Sequence, residues 1–125
     1  NFRYPLESTR ILRNYGIYKN DKSGVILQNP GVDFSAKTGT RALCSSDGVV
    51  SLVYTLSGYN TIVIVEHTNG IRTVYGNLFR TYVRKGDNIQ KGQPVGITGE
   101  TIDGEYLHFE VWRGTKNVNP MGVLR

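Results

Sequence analysis

Asn69-Gly70 lies between two runs of strand-forming residues, and it restricts the possible folds more than any other stretch. Both residues tolerate positive φ, which a tight hairpin turn needs if its twist is to match the flanking strands. Before the turn, Thr61-Ile62-Val63-Ile64-Val65-Glu66-His67 is nearly all β-branched and reads as a central strand. After it comes Ile71-Arg72-Thr73-Val74-Tyr75-Gly76-Asn77-Leu78. The pattern predicts an antiparallel hairpin in the middle of a sheet.

The rest of the chain repeats this rhythm of short strand and turn. Fifteen glycines punctuate 125 residues, and no stretch shows sustained helical periodicity. Strands are expected over Val49 to Leu56 and at Arg41-Ala42-Leu43-Cys44, with turns at Ser46-Asp47-Gly48, Ser57-Gly58-Tyr59-Asn60, Lys85-Gly86-Asp87 and Lys91-Gly92-Gln93. Pro5 cannot donate to a central ladder, so Arg10 to Gly16 reads as an edge strand. The polar stretch Ile17 to Gly24 reads as a mobile loop. In Tyr106-Leu107-His108-Phe109-Glu110-Val111-Trp112 the side chains alternate strictly, so Leu107, Phe109 and Val111 face a core. Tyr106, His108 and Glu110 look the other way, a costly row to keep unless it meets water or a cleft. The expectation is an all-β fold, an antiparallel β-sandwich or flattened barrel with little helix, forming one domain over residues 1–125.

Charge and cysteine content narrow the partners. Fifteen Lys and Arg against ten Asp and Glu give a net charge of +5, a field that favours acidic partners. The basic residues are scattered and form no run interleaved with aromatics, so nucleic acid is not an expected partner. Cys44, the single cysteine, excludes an internal disulfide, and its apolar neighbours mark it as a small buried hydrophobe. No stretch is long and apolar enough to span a bilayer as a helix. With no Met start and no signal peptide, the sequence reads as an excised domain.

In order, the pieces Gly31-Val32-Asp33-Phe34, Asp47-Gly48-Val49-Val50, Gly58-Tyr59-Asn60, Glu66-His67-Thr68-Asn69-Gly70 and Tyr75-Gly76-Asn77-Leu78 resemble the LytM (lysostaphin-like) zinc endopeptidases, which cut peptide cross-bridges in bacterial peptidoglycan. The likeness continues through Gly86-Asp87, Gly92-Gln93-Pro94-Val95-Gly96, Leu107-His108-Phe109-Glu110-Val111 and Asn119-Pro120. It runs from about Tyr4 to Pro120, and it implies a fold of the duplicated-hybrid-motif type. No single piece is specific; the ordered set is.

Active members of that family carry His-x-x-x-Asp, which supplies two zinc ligands, and His-x-His before Phe-Glu, whose second His is the third. A further catalytic His sits in Tyr-x-His-Leu. At these positions this chain has Asn29 with Asp33, Tyr106 with His108, and Asn77. The resemblance therefore leaves Asp33 and His108 from the metal set and replaces three histidines. An Asn amide is a poor third ligand where imidazole is preferred. The expectation is a retired active site: not an enzyme, no cofactor, no bound metal and no catalytic residues. Asn29, Asp33, Asn77, Tyr106 and His108 would then border a vestigial groove that binds a partner. His67 reads as a polar residue at a strand end, and Asp103 and Glu105 as members of a solvated turn.

Eroded relatives, the EnvC-like and NlpD-like proteins, activate peptidoglycan amidases. The resemblance implies a regulator of amidases in cell-wall remodelling or division, located in the periplasm or cell envelope. Its partner would be an amidase or another murein hydrolase, with peptidoglycan a further candidate ligand. A second reading is a structural module that pairs with an active endopeptidase or scaffolds an envelope-spanning complex. A third, discounted, keeps an endopeptidase that uses Asp33, His108 and Glu105. A fourth, a lipoyl-type carrier, fails because no lysine motif occupies the tip at Asn69-Gly70.

Overall fold

A computed structural model describes residues 1–55 and 60–125. Leu56 and the turn expected at Ser57-Gly58-Tyr59 lie outside the described residues. Thirteen strands follow in chain order: β1 (Ile11–Arg13), β2 (Gly16–Lys19), β3 (Ile26–Asn29), β4 (Val32–Ser35), β5 (Arg41–Leu43), β6 (Gly48–Thr55), β7 (Thr61–Glu66), β8 (Ile71–Thr81), β9 (Asn88–Ile89), β10 (Pro94–Thr98), β11 (Glu100–Thr101), β12 (Gly104–Arg113) and β13 (Lys116–Val118). The helical structure among the described residues is two short 3-10 turns, at Thr68–Gly70 and Pro120–Gly122. Among the described residues no helix is long and apolar enough to cross a membrane.

The main path of the sheet runs β1-β4-β12-β8-β7-β6-β9, entirely antiparallel and open at both ends. It does not close into a barrel. The expected hairpin stands at its centre, with Glu66 opposite Arg72 and Val65 opposite Thr73. Asn69 (φ 62°) and Gly70 (φ 71°) both occupy the left-handed region, the conformation anticipated from their side chains. β8 outlasts its partner: Ile71 to Gly76 pair with β12, then Leu78, Arg80 and Thr81 pair with β10, which also joins β5.

Alternation decides what is buried. Thr61, Val63 and Val65 of β7 point inward, as do Leu107, Phe109 and Val111 of β12. The apolar members of both sets meet Val32, Phe34, Ala42, Cys44, Tyr75 and Leu78 in one core. Phe34, Phe109 and Tyr75 form a chain of ring contacts at 6.4 and 5.4 Å. Cys44 is buried as expected, and desolvation raises its thiol pKa, which makes it inert. The edge strand is also where it was anticipated, since among the described residues β1 pairs with β4 alone, at one end of the sheet.

One expectation fails. The stretch Ile17 to Gly24 is not simply a loop, because β2 pairs with β3 in a separate two-stranded ribbon. The strand formers Ile17, Tyr18, Ile26 and Leu27 flank the polar segment, and only that segment turns. Asn20 Oδ1 accepts from the backbone N–H of Lys22 and Ser23 and so closes the turn.

β4 approaches β12 so closely that a Cβ at Gly31 would lie 2.2 Å from the Phe109 carbonyl oxygen. Gly31→Ala is expected to cost about 2–3 kcal/mol by forcing backbone apart. Gly70→Ala, where space is open and only φ is unfavourable, should cost about 1 kcal/mol. Urea denaturation of the two variants checks both the order and the size.

Candidate functional site

Strand register builds the site before any side chain is placed. Arg13 of β1 lies opposite Asp33 of β4, Asp33 opposite His108 of β12, and His108 opposite Gly76 of β8. Directly opposed residues share one face of a sheet, so a cation, an anion and an imidazole stand in a single row. Gly76 leaves the imidazole unobstructed.

The row is fully connected. Arg13 Nε donates to Asp33 Oδ2 at 2.7 Å. His108 Nδ1 lies 2.6 Å from Asp33 Oδ1, and its Nε2 lies 2.7 Å from Glu110 Oε2. Trp112 Nε1 donates to the other Glu110 oxygen at 2.7 Å. Ionised carboxylates only accept, so both His108 nitrogens donate and the ring is an imidazolium. Burial pulls the His108 pKa down, but the hydrogen bonds and charges of Asp33 and Glu110 outweigh it and lift the value to about 9. Arg13 also stacks over the Tyr106 ring at 4.6 Å, and its Nη1 donates to the Asp103 carbonyl at 3.2 Å.

The two asparagines serve backbone geometry. Asn29 is buried, with Nδ2 donating to the Asn14 carbonyl at 3.2 Å and Oδ1 accepting from Gly31 N–H at 3.2 Å. Asn77 has φ 65°. Its Nδ2 donates to the carbonyls of Tyr106 at 2.6 Å and Gly99 at 3.1 Å, and its Oδ1 accepts from Asn60 at 2.6 Å. Of the five residues singled out from sequence, Asn29 and His108 each reach Asp33, at 3.5 and 2.6 Å. Tyr106 reaches the others through Arg13. Asn77 and Tyr106 border a shallow recess of about 200 Å³ with Ile62, Gly76 and His108.

The residue that sequence reasoning missed is Arg13, because its role depends on a β1–β4 register that no local pattern reveals. Glu105, the alternative metal ligand, is elsewhere: it is exposed and accepts from Thr38 N–H at 2.9 Å. His67 is a satisfied core residue, bonded to the Asp47 carbonyl at 2.8 Å and Thr73 Oγ1 at 2.7 Å.

A second groove, about 400 Å³, crosses the outer face of the central strands and is lined by Leu52, Tyr54, Ile62, Ile64, Val74 and Trp112, with Arg72 and Glu110 also in its wall. It shares Ile62 with the recess beside His108. The groove and the ion row thus lie on one continuous face.

Comparison with known proteins matches residues 27–120 to Peptidase family M23. The chain is 31% identical over 121 residues to the DD-carboxypeptidase/endopeptidase Mpg of Neisseria meningitidis, a match covering 95% of this chain and 28% of that protein. It is 36% identical over 100 residues to a lipoprotein NlpD/LppB homolog of Pseudomonas aeruginosa, covering 77% of this chain and 33% of the relative. Among solved structures it resembles a zinc containing peptidase from Vibrio cholerae, with 27% identity, a TM-score of 0.82, and coverage of 94% of this chain and 38% of that one. The chain spans about a third or less of the curated relatives' lengths.

These matches overturn the expectation that the chain is not an enzyme. Three replaced histidines describe three positions, whereas the likeness to named peptidases extends over nearly the whole chain. The zinc that the family implies nevertheless does not fit the donor set as it is arranged. Asp33 is bonded on both oxygens, and both His108 ring nitrogens are engaged by carboxylates. Among the described residues no three His, Cys, Asp or Glu side chains are grouped to hold a metal ion.

Because the folded-state value of His108 lies above its ordinary value of 6.5, its stabilisation is complete below that pH and is lost as pH rises through about 9. The melting temperature should therefore fall between pH 7 and pH 10, by roughly 5 °C. The fall should be clearly smaller in His108→Gln, measured in the same buffers.

Proposed function

The chain belongs to Peptidase family M23, and from that premise we propose that it works in cell-wall remodelling as a recognition module whose groove holds a segment of a peptidoglycan amidase and activates that hydrolase. The observation that carries this reading is the apolar outer face of the central strands. Leu52, Tyr54 and Ile62 are 40%, 51% and 37% exposed, at positions where a sheet facing only water would carry polar side chains. Together with Val74 and Trp112 they floor a groove of the size that receives a peptide or one side of a helix.

The groove has an apolar run and a polar end. A segment lying along it would bury apolar side chains on Ile62, Val74 and Trp112 and place polar groups beside Tyr106, His108 and Glu110. Apolar burial would supply affinity, and the polar end would fix direction. The lipoprotein NlpD/LppB homolog among the relatives supports a regulator of this type. It also supports a location in the periplasm or cell envelope, where peptidoglycan and its hydrolases meet.

The test is dye release from labelled peptidoglycan by the chain alone, an amidase alone, and both together. Release by the mixture should exceed the sum of the separate reactions. Ile62→Glu should reduce that gain at least about tenfold by placing an unpaired charge on the apolar floor, with the melting temperature little changed because Ile62 is partly exposed. Tyr106→Ala should weaken the gain less. Asn77 is a poor probe, since replacing it would disturb the backbone that it ties together. No gain with any cognate amidase would contradict the proposal and favour a module that pairs with an endopeptidase. Release by the chain alone would align it with its named peptidase relatives.

A further inference from the structure

We infer that Arg13 is the resident cation of this site: its guanidinium takes up Asp33 as a metal ion would, and it is this occupation, beyond the loss of an imidazole at Asn29, that closes the donor set to zinc. The inference rests on the row of contacts across β1, β4 and β12 and is independent of what the groove binds.

A structural metal ion does two things at a sheet face. It neutralises the carboxylate it touches, and it cross-links the elements that supply its ligands. Arg13 does both. Its Nε donates to Asp33 Oδ2 at 2.7 Å, which matches a carboxylate to a cation that stays charged at any working pH. The Asp33 side chain is only 8% exposed and that of Arg13 24%, so the pair is shielded from salt and water. The cross-link runs from β1 to β4 through this bond and to the turn before β12 through Arg13 Nη1 and the Asp103 carbonyl. Tyr106 supports the guanidinium plane from one side at 4.6 Å.

The neighbouring contacts show why the missing imidazole is not a sufficient account. Asn29 Nδ2 approaches the same Asp33 Oδ2 at 3.5 Å, so position 29 already reaches the ligand oxygen. A histidine placed there would bring a third donor to a carboxylate whose Oδ2 Arg13 already holds. His108 holds the remaining oxygen at 2.6 Å. A divalent cation would have to displace a guanidinium of full positive charge from a shielded contact before it could bind.

The experiment is zinc binding by the 125-residue chain as wild type, Asn29→His, Arg13→Ala, and the two double variants in which Asn29→His is combined with Arg13→Ala or Arg13→Gln. Zinc per chain is measured by elemental analysis after gel filtration, and melting temperature with and without zinc. At least one double variant should retain about one zinc per chain and melt about 5 °C higher with zinc. Asn29→His alone should bind at least about tenfold more weakly than that double variant. Arg13→Ala alone should melt lower than wild type, with no recovery on adding zinc. Arg13→Gln keeps a hydrogen-bonding side chain, so a failure of the alanine variant to fold does not end the test. Double variants that bind no more tightly than Asn29→His would overturn the inference, as would a wild-type chain that carries stoichiometric zinc.

Discussion

Asp33 is a buried carboxylate pinned between two cationic groups, and the arrangement of the whole site follows from keeping that charge satisfied. An unpaired carboxylate at this depth would cost several kcal/mol. The sheet supplies partners by register alone, with Arg13 on one neighbouring strand and His108 on the other. The second cation is in turn held by Glu110, and Glu110 by Trp112. Each contact satisfies what the previous one leaves open. A break in the row would leave a shielded charge with fewer partners, which makes such a network costly to interrupt.

Much of the fold was legible because it is written in local chemistry. Asn69-Gly70 turns where its side chains allow, and strict alternation from Tyr106 to Trp112 assigns the two faces of β12. Cys44 is buried, as its apolar neighbours implied. The site was legible in part. Asp33 and His108 stand together, as the family resemblance implied, but Arg13 could not be anticipated. Nothing about Arg10-Ile11-Leu12-Arg13 as a string says which residue of a distant strand it will face, and the bulge between Ile11 and Arg13 shifts the register further. The ribbon of β2 and β3 was missed for a different reason: its polar turn outweighed the strand formers on either side.

The comparisons and the geometry constrain function from opposite ends. Relatives named as peptidases align over most of this chain's length, and the scaffold is that of Peptidase family M23. Within the scaffold, the side chains that would hold the family's metal are committed to one another and to Arg13. The apolar groove beside them is open and shares its face. An open apolar groove beside a row of ion pairs is the geometry on which the proposed recognition role rests.

The state of the His108 ring tests the row most directly, because a neutral imidazole has one N–H and could donate to only one of the two carboxylates that flank it. Nitrogen NMR of the imidazole reads it directly. The account predicts that at pH 7.5 both ring nitrogens of His108 carry protons and that the ring titrates near 9, with its shifts insensitive to added zinc. A single neutral tautomer at pH 7.5, titrating near the ordinary histidine value of about 6.5, would contradict it.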